Sequence, residues 1–277
     1  MKQNILINTS QNNILQTTIY YEKNPEDKPC VILVHGFQGF KDWGYVPFFA
    51  QELAQLGFFV VTFNFSHNGI GTDPFKITEL EKFANNTISL EVSELGEMVE
   101  FYKNGGFGFD GSKNKIGLIG HSRGGAIALI HSAEKYNIDA LILWGTIATF
   151  ERYTKNQINR LLKDGFLELK NNKTNQVLKI NRILFDDYLA NRERFNLLER
   201  IKSLSIRTLI IHGDQDLIVP VNEAFQLYNI SNKEKTELVI IEGAGHTFNV
   251  CHPYTGSSPQ FEKVKEHTIS FLKKYLK

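Results

Sequence analysis

The stretch Lys115-Ile116-Gly117-Leu118-Ile119-Gly120-His121-Ser122-Arg123-Gly124-Gly125-Ala126-Ile127-Ala128-Leu129 constrains the fold more than any other part of the chain. An apolar run suited to a buried strand passes through Gly-His-Ser-Arg-Gly directly into an Ala/Leu-rich helical pattern. A strand becomes a helix that abruptly only through a sharp bend at the serine, and small residues must flank it because strand and helix approach closely. The bend holds the Ser122 hydroxyl out at the carboxyl edge of a sheet. It also points the amide of Arg123, at the helix N-terminus, at the same spot. Gly-x-Ser-x-Gly on its own is a common loop composition; between a strand and a helix it marks a nucleophile.

A nucleophilic serine needs a base, and the base needs an orienting acid. Thr208-Leu209-Ile210-Ile211-His212-Gly213 reads as a buried strand that leads into Asp214-Gln215-Asp216. Glu237-Leu238-Val239-Ile240-Ile241 reads as another, leading into Glu242-Gly243-Ala244-Gly245-His246. Acid and histidine thus follow strand ends, in the chain order serine, acid, histidine, on the edge of an open α/β sheet where ligands gather. Position alone admits either Asp214 or Asp216 as the acid.

The remaining pattern alternates strand and helix. Strands are expected near 4–8 and 14–22, joined by a turn at Gln11-Asn12-Asn13, then at 30–35, 58–65 and 140–145. Helices are expected over 44–56 and 86–104, and a closing amphipathic helix carries Phe261, Val264, Ile269, Phe271 and Leu272. Such alternation predicts the α/β class: a mainly parallel central sheet with helices on both faces. Residues 147–204 break the order after the sixth core strand. There the sequence reads as a helix over 150–164, a hairpin of Phe166–Lys170 with Gln176–Ile180 around Asn171–Asn175, and short helices over Ile183–Ala190 and Arg194–Lys202. An insertion after a strand's carboxyl end is placed to cap Ser122; a homodimer contact is the alternative. The expected division is core over 1–146, cap over 147–204, and core again over 205–277.

Composition narrows the function classes. The 277 residues are 42% hydrophobic, enough for one large core with an insertion. With 31 basic and 30 acidic residues, the net charge of +1 provides no field for nucleic acid or an anionic membrane. Two cysteines, Cys30 and Cys251, make no disulfide framework. No dinucleotide or phosphate loop is present, and Asp73, Glu79 and Glu81 form no metal set with a histidine pair, so neither metal nor cofactor is expected. The first residues lack an apolar signal run, and no apolar stretch approaches the roughly 18 residues of a membrane span. A cytoplasmic location follows as the expectation.

Four stretches together, His35-Gly36-Phe37-Gln38-Gly39, Gly120–Gly125, His212–Pro220 and Gly243–His246, resemble the α/β-hydrolase superfamily over nearly the whole chain. Within it the chain resembles small serine esterases and serine aminopeptidase-like or dienelactone-hydrolase-like members. Dienelactone hydrolases proper carry cysteine at the bend, so Ser122 departs from their chemistry. The resemblance implies Asp216, three residues after Gly213, as the acid, with Asp214 bracing the turn. It implies the Phe37 amide as a second oxyanion donor beside that of Arg123, with the Phe37 ring in the pocket. His35 and His121 read as buried braces. His67, Trp144 and Phe248 are candidate substrate contacts, His67 with a plain polar turn as the alternative. The Arg123 side chain either meets a substrate carboxylate or serves the structure. The implied activity is hydrolysis of a carboxylic ester of small or medium acyl group through an acyl-enzyme. A short peptide or amide is the alternative substrate, and a cofactor-free perhydrolase or lyase the alternative chemistry.

Overall fold

Cys30-Val31-Ile32-Leu33-Val34 is apolar throughout and fully buried, which a strand achieves only with sheet neighbours on both edges and cover on both faces. In the computed structural model it lies inside an eight-stranded sheet. The structure describes every residue except Thr72, Pro74, Phe75, Tyr136, Asn172, Lys173 and Thr174. In chain order the first half comprises β1 (Lys2–Asn8), β2 (Ile14–Tyr20), β3 (Cys30–Val34), α1 (Val46–Gln55), β4 (Phe59–Phe63), α2 (Leu80–Ala84), α3 (Ile88–Lys103), β5 (Ile116–His121), α4 (Arg123–Glu134) and β6 (Ala140–Trp144). The insertion supplies α5 (Lys155–Asp164), β7 (Phe166–Asn171), β8 (Gln176–Asn181), α6 (Ile183–Ala190) and α7 (Leu197–Ser203). The chain then returns as β9 (Arg207–Gly213), α8 (Asn222–Ile230), β10 (Thr236–Ile241) and α9 (Pro259–Leu276).

The sheet order is β1-β2-β4-β3-β5-β6-β9-β10. From β4 to β10 neighbours run parallel, while β1 and β2 form an antiparallel hairpin on the β4 edge. Alternation along the strands divides the core between the two faces. Cys30, Ile32 and Val34 join Leu118, Leu141 and Leu143 under α3, α4 and α8. Val31 and Leu33 join Ile119, Ile142 and Trp144 under α1 and α9. Each fully buried aliphatic or aromatic side chain contributes about 1.5–3 kcal/mol. The parallel arrangement sends the chain after β3, β5, β6, β9 and β10 to one edge, where the motif residues lie.

The insertion is fastened to the core at several points. The Gln176 side chain, on β8, donates from Nε2 to the Ile77 carbonyl (2.7 Å) and accepts the Ile77 amide (3.3 Å). Asn181 donates to the Asn85 side chain at 2.8 Å, and β8 packs on α2. Arg194 grips Glu134 with two nitrogens at 2.6 and 2.9 Å, and α7 lies against α4 and α8. The helix expected from residue 150 starts only at Lys155. Thr154 caps it: its hydroxyl accepts the Gln157 amide, and the Gln157 side chain accepts the Thr154 amide, a reciprocal box that fixes the start. The turn of the expected hairpin falls partly on Asn172–Thr174, outside the described residues. Among the described residues no helix is long and apolar enough to cross a membrane.

Candidate active site

The bend after β5 forces Ser122 to φ 56° and ψ −123°, a conformation that non-glycine residues rarely adopt. It is held by the Ser122 amide, which donates to the Trp144 carbonyl at 2.8 Å, and by the Gly125 amide, which donates to the Ser122 carbonyl at 3.1 Å. A Cβ at Gly124 would run into the carbonyl oxygens of Val34 and His35, so glycine there lets α4 begin directly against the end of β3. A Cβ at Gly36 would fall 3.0 Å from the Ser122 Cβ and 3.5 Å from the Arg123 amide nitrogen. The turn after β3 therefore lies against the bend, with the Gly36–Phe37 peptide beside the Arg123 amide.

Across the sheet edge, His246 Nδ1 sits 2.7 Å from Asp216 Oδ2. The other carboxylate oxygen accepts the amides of Ile218 and Val219, each at 2.9 Å. His212, fully buried, places Nε2 2.8 Å from the Val219 carbonyl and 3.3 Å from Asp216 Oδ2. Burial works to raise the Asp216 pKa, but these donors outweigh it and hold the carboxyl well below the usual range. An ionised Asp216 only accepts, so His246 Nδ1 carries the proton and Nε2 is the basic nitrogen. Asp214 turns elsewhere: its Oδ1 accepts the Gly243 amide at 2.7 Å and ties the two loops together. Of the two aspartates, only Asp216 meets the histidine.

Ser122 and His246 share the wall of a cavity of about 1150 Å³, which Phe37, Arg123 and Trp144 also line. That volume exceeds the roughly 300–1,000 Å³ of ordinary ligand pockets. Residues of the insertion, among them Leu169, Leu184, Phe185 and Tyr188, also line it. Two expected substrate contacts are absent from its wall. Phe248 is 0% exposed; a positive φ of 52° turns it into the core, where it packs edge-on to Trp144 at 6.1 Å. His67 lies off the cavity because its neighbour Ser66 is drawn toward α3, its amide donating to Glu94 at 2.9 Å; Ser66 Oγ in turn sits 2.7 Å from His67 Nδ1. Trp144 is part of the wall, with its indole N–H committed to Thr268 at 3.1 Å.

Residues 31–259 match the alpha/beta hydrolase family. The chain belongs to that family. It is 26% identical over 192 residues to the 2-hydroxy-6-oxo-6-(2'-aminophenyl)hexa-2,4-dienoic acid hydrolase of Metapseudomonas resinovorans. That match covers 59% of this chain and only 61% of the relative. A Mycoplasma genitalium protein with a provisional esterase/lipase name is 25% identical over 264 residues, covering 86% of this chain and 90% of that one. The solved structure of the alpha/beta hydrolase GrgF from Penicillium sp. superposes with a TM-score of 0.76 at 16% identity, covering 100% of this chain and 99% of the other.

Three polar residues of this α/β hydrolase support the site in ways the motifs alone do not show. Glu91, on α3, accepts Arg123 Nε at 2.8 Å, and Asn86 donates to its other oxygen at 2.7 Å. The guanidinium thus ties the start of α4 to α3, beneath the Phe37 ring at 5.7 Å. His212 steadies the acid loop, as described above. Tyr153, just before α5, brings a phenol to the cavity wall. The sequence signal for Glu91 is an acid set among the apolar positions Ile88, Val92 and Leu95, where a helix facing the core normally carries none. His35 is a neutral brace: Nδ1–H donates to the Gly36 carbonyl at 2.9 Å, Nε2 accepts the Phe65 amide at 3.1 Å, and burial pushes its pKa down to about 4.

Proposed function

We propose that the chain hydrolyses carboxylic esters with Ser122 as nucleophile, His246 as base and Asp216 as the orienting acid. What supports this above all is that His246, 2.7 Å from Asp216, shares the cavity wall with a serine held in strained geometry. His246 Nε2 takes the Ser122 proton as Oγ attacks the carbonyl, and the amides of Phe37 and Arg123 receive the developing oxyanion. Return of that proton to the departing alcohol leaves an acyl-serine. Water, deprotonated by His246, then releases the acid and restores Ser122. The cavity has room for a small or medium acyl group, and residues 147–204 act as a cap that limits it. The relative with the esterase/lipase name, matched along 90% of its length, supports an ester over an amide.

A fluorophosphonate probe tests the assignment: it should label the wild type and not Ser122→Ala, which keeps the fold and loses turnover of activated esters. Labelling of both proteins alike would reject Ser122. A second reading is favoured by the relative named for a dienoic acid bearing an oxo group. In it the attacked carbonyl is a ketone, and a panel of esters, aminoacyl amides and oxo acids separates the two.

A further inference from the structure

We infer that the Arg123 side chain makes this cavity selective for acyl groups that carry a carboxylate. The inference deepens the serine-hydrolase reading and, for turnover, rests on it. Among the described residues, Lys41, Lys76, Arg123, Arg152, Lys170 and Arg192 line the cavity beside one acidic lining residue, Glu151; Lys41 pairs with Asp42, Arg123 with Glu91, Arg152 with Glu223 and Arg192 with Glu151. Cationic residues outnumber acidic ones in the wall itself, whereas the whole chain is balanced, 31 to 30. Clefts lined by one sign of charge with low-dielectric walls attract ligands of the other.

Arg123 is the cation best placed to read the acyl group, because it directly follows the nucleophile. It is only 9% exposed, and Glu91 occupies its Nε alone. Nη2 is buried with no hydrogen-bond partner among the described residues. A buried charged donor left unmatched is costly, and such groups call for an explanation. The guanidinium edge offers parallel N–H groups that fit a carboxylate better than any other common acceptor. What covers it is the Phe37 ring, 5.7 Å away and, at 37% exposed, the most open aromatic in the cavity wall. An entering carboxylate displaces that ring and leaves the Phe37 backbone in place. The chemistry is unchanged: an ester and water give a dicarboxylate and an alcohol.

The experiment pairs para-nitrophenyl hemiesters of succinic, glutaric and adipic acid with their terminal primary amides, which match them in shape but not in charge. Wild type should favour the acid at its best chain length by about ten- to a hundredfold in kcat/KM. Arg123→Met should bring that ratio close to one, and Arg123→Lys should restore part of it. A purely bracing role would lower both rates together and keep the ratio. If Arg123→Met leaves Glu91 buried without its cation and does not fold, Arg123→Met with Glu91→Gln removes both charges and is read in the same way. Calorimetric titration of Ser122→Ala with both members of each pair measures selectivity without turnover. Tighter binding of the acids there, lost on adding Arg123→Met, upholds the inference even if Ser122 proves not to be the nucleophile. Equal binding of acids and amides by Ser122→Ala, or a wild-type ratio that survives loss of Arg123, overturns it.

Discussion

His121 Nε2 lies 2.8 Å from the main-chain carbonyl oxygen of His246, although 125 positions separate the two in the chain. A carbonyl only accepts, so Nε2 carries the proton. Burial, with His246 close by, drives the His121 pKa down to about 3 and keeps the ring neutral. The residue beside the candidate nucleophile therefore holds the loop that carries the candidate base. Their rings lie 4.7 Å apart, which fixes the separation of two candidate catalytic segments that no local interaction could set.

His121→Leu should accordingly lower kcat by about ten- to a hundredfold, since loss of this bond leaves a carbonyl unmatched at a cost of about 1–3 kcal/mol. His121→Gln, whose amide still donates, should recover much of the loss. Steady-state kinetics on an activated ester, alongside thermal melts, checks it. Equal damage from both variants would show that the ring's shape matters and its hydrogen bond does not.

The two aspartates should separate cleanly. Asp216→Asn disturbs the tautomer of His246 and should reduce kcat by about 10⁴. Asp214→Asn weakens only the bond to the Gly243 amide and should cost roughly 0.5–1.5 kcal/mol of stability, with turnover largely kept. Urea denaturation and ester kinetics on both proteins make the comparison. Reversed activity losses would move the acid role to Asp214.

The placement of Ser122, Asp216 and His246 was legible because each follows a strand whose apolar run is unmistakable, and a parallel sheet brings all such ends to one edge. The helix Ile183–Ala190 and the hairpin strands were legible for the same reason of local pattern. Phe248 was not, since the positive φ that turns its ring inward leaves no mark in the sequence. Nor was the fate of His67, which depends on Glu94 on a helix 27 positions away in the chain. The helix Asn222–Ile230 buries only Ala224 and Leu227, too few apolar positions to give a period. The start of α5 was legible in principle: Thr154 followed three residues later by Gln157 is a capping signature that outweighs the helical pattern upstream.

Residues 147–204 should behave as a fixed cap because the Gln176 side chain bonds both backbone groups of Ile77. Gln176→Ala removes the two bonds together. Hydrogen exchange should quicken in the hairpin, and selectivity across ester acyl lengths should change several-fold, while fluorophosphonate labelling of Ser122 stays near wild type. Unchanged selectivity with a loosened hairpin would argue against a role in substrate choice. A shift in sedimentation for the same variant would favour the dimer contact.

Glu94 predicts an unusual dependence of stability on pH. Its carboxyl is 1% exposed; burial, reinforced by the nearby Glu91 and Glu97, raises its pKa from 4.5 to about 7, although Ser66 donates to it from both amide and hydroxyl. Between those two values the folded protein keeps a proton that the unfolded chain has lost. The associated stability is therefore fully present below about pH 4.5 and disappears as pH rises through about 7. The whole effect amounts to about 3 kcal/mol. Glu94→Gln abolishes this titration while keeping an acceptor for the Ser66 amide. Urea denaturation at intervals from pH 4.5 to 8 should show the variant gaining on the wild type by about that amount as pH rises. His35 and His121, whose lowered pKa values act in the opposite direction over an overlapping range, are common to both proteins and cancel in the difference. Parallel curves would mean that Glu94 is ionised throughout the range and that its proton does not couple to folding.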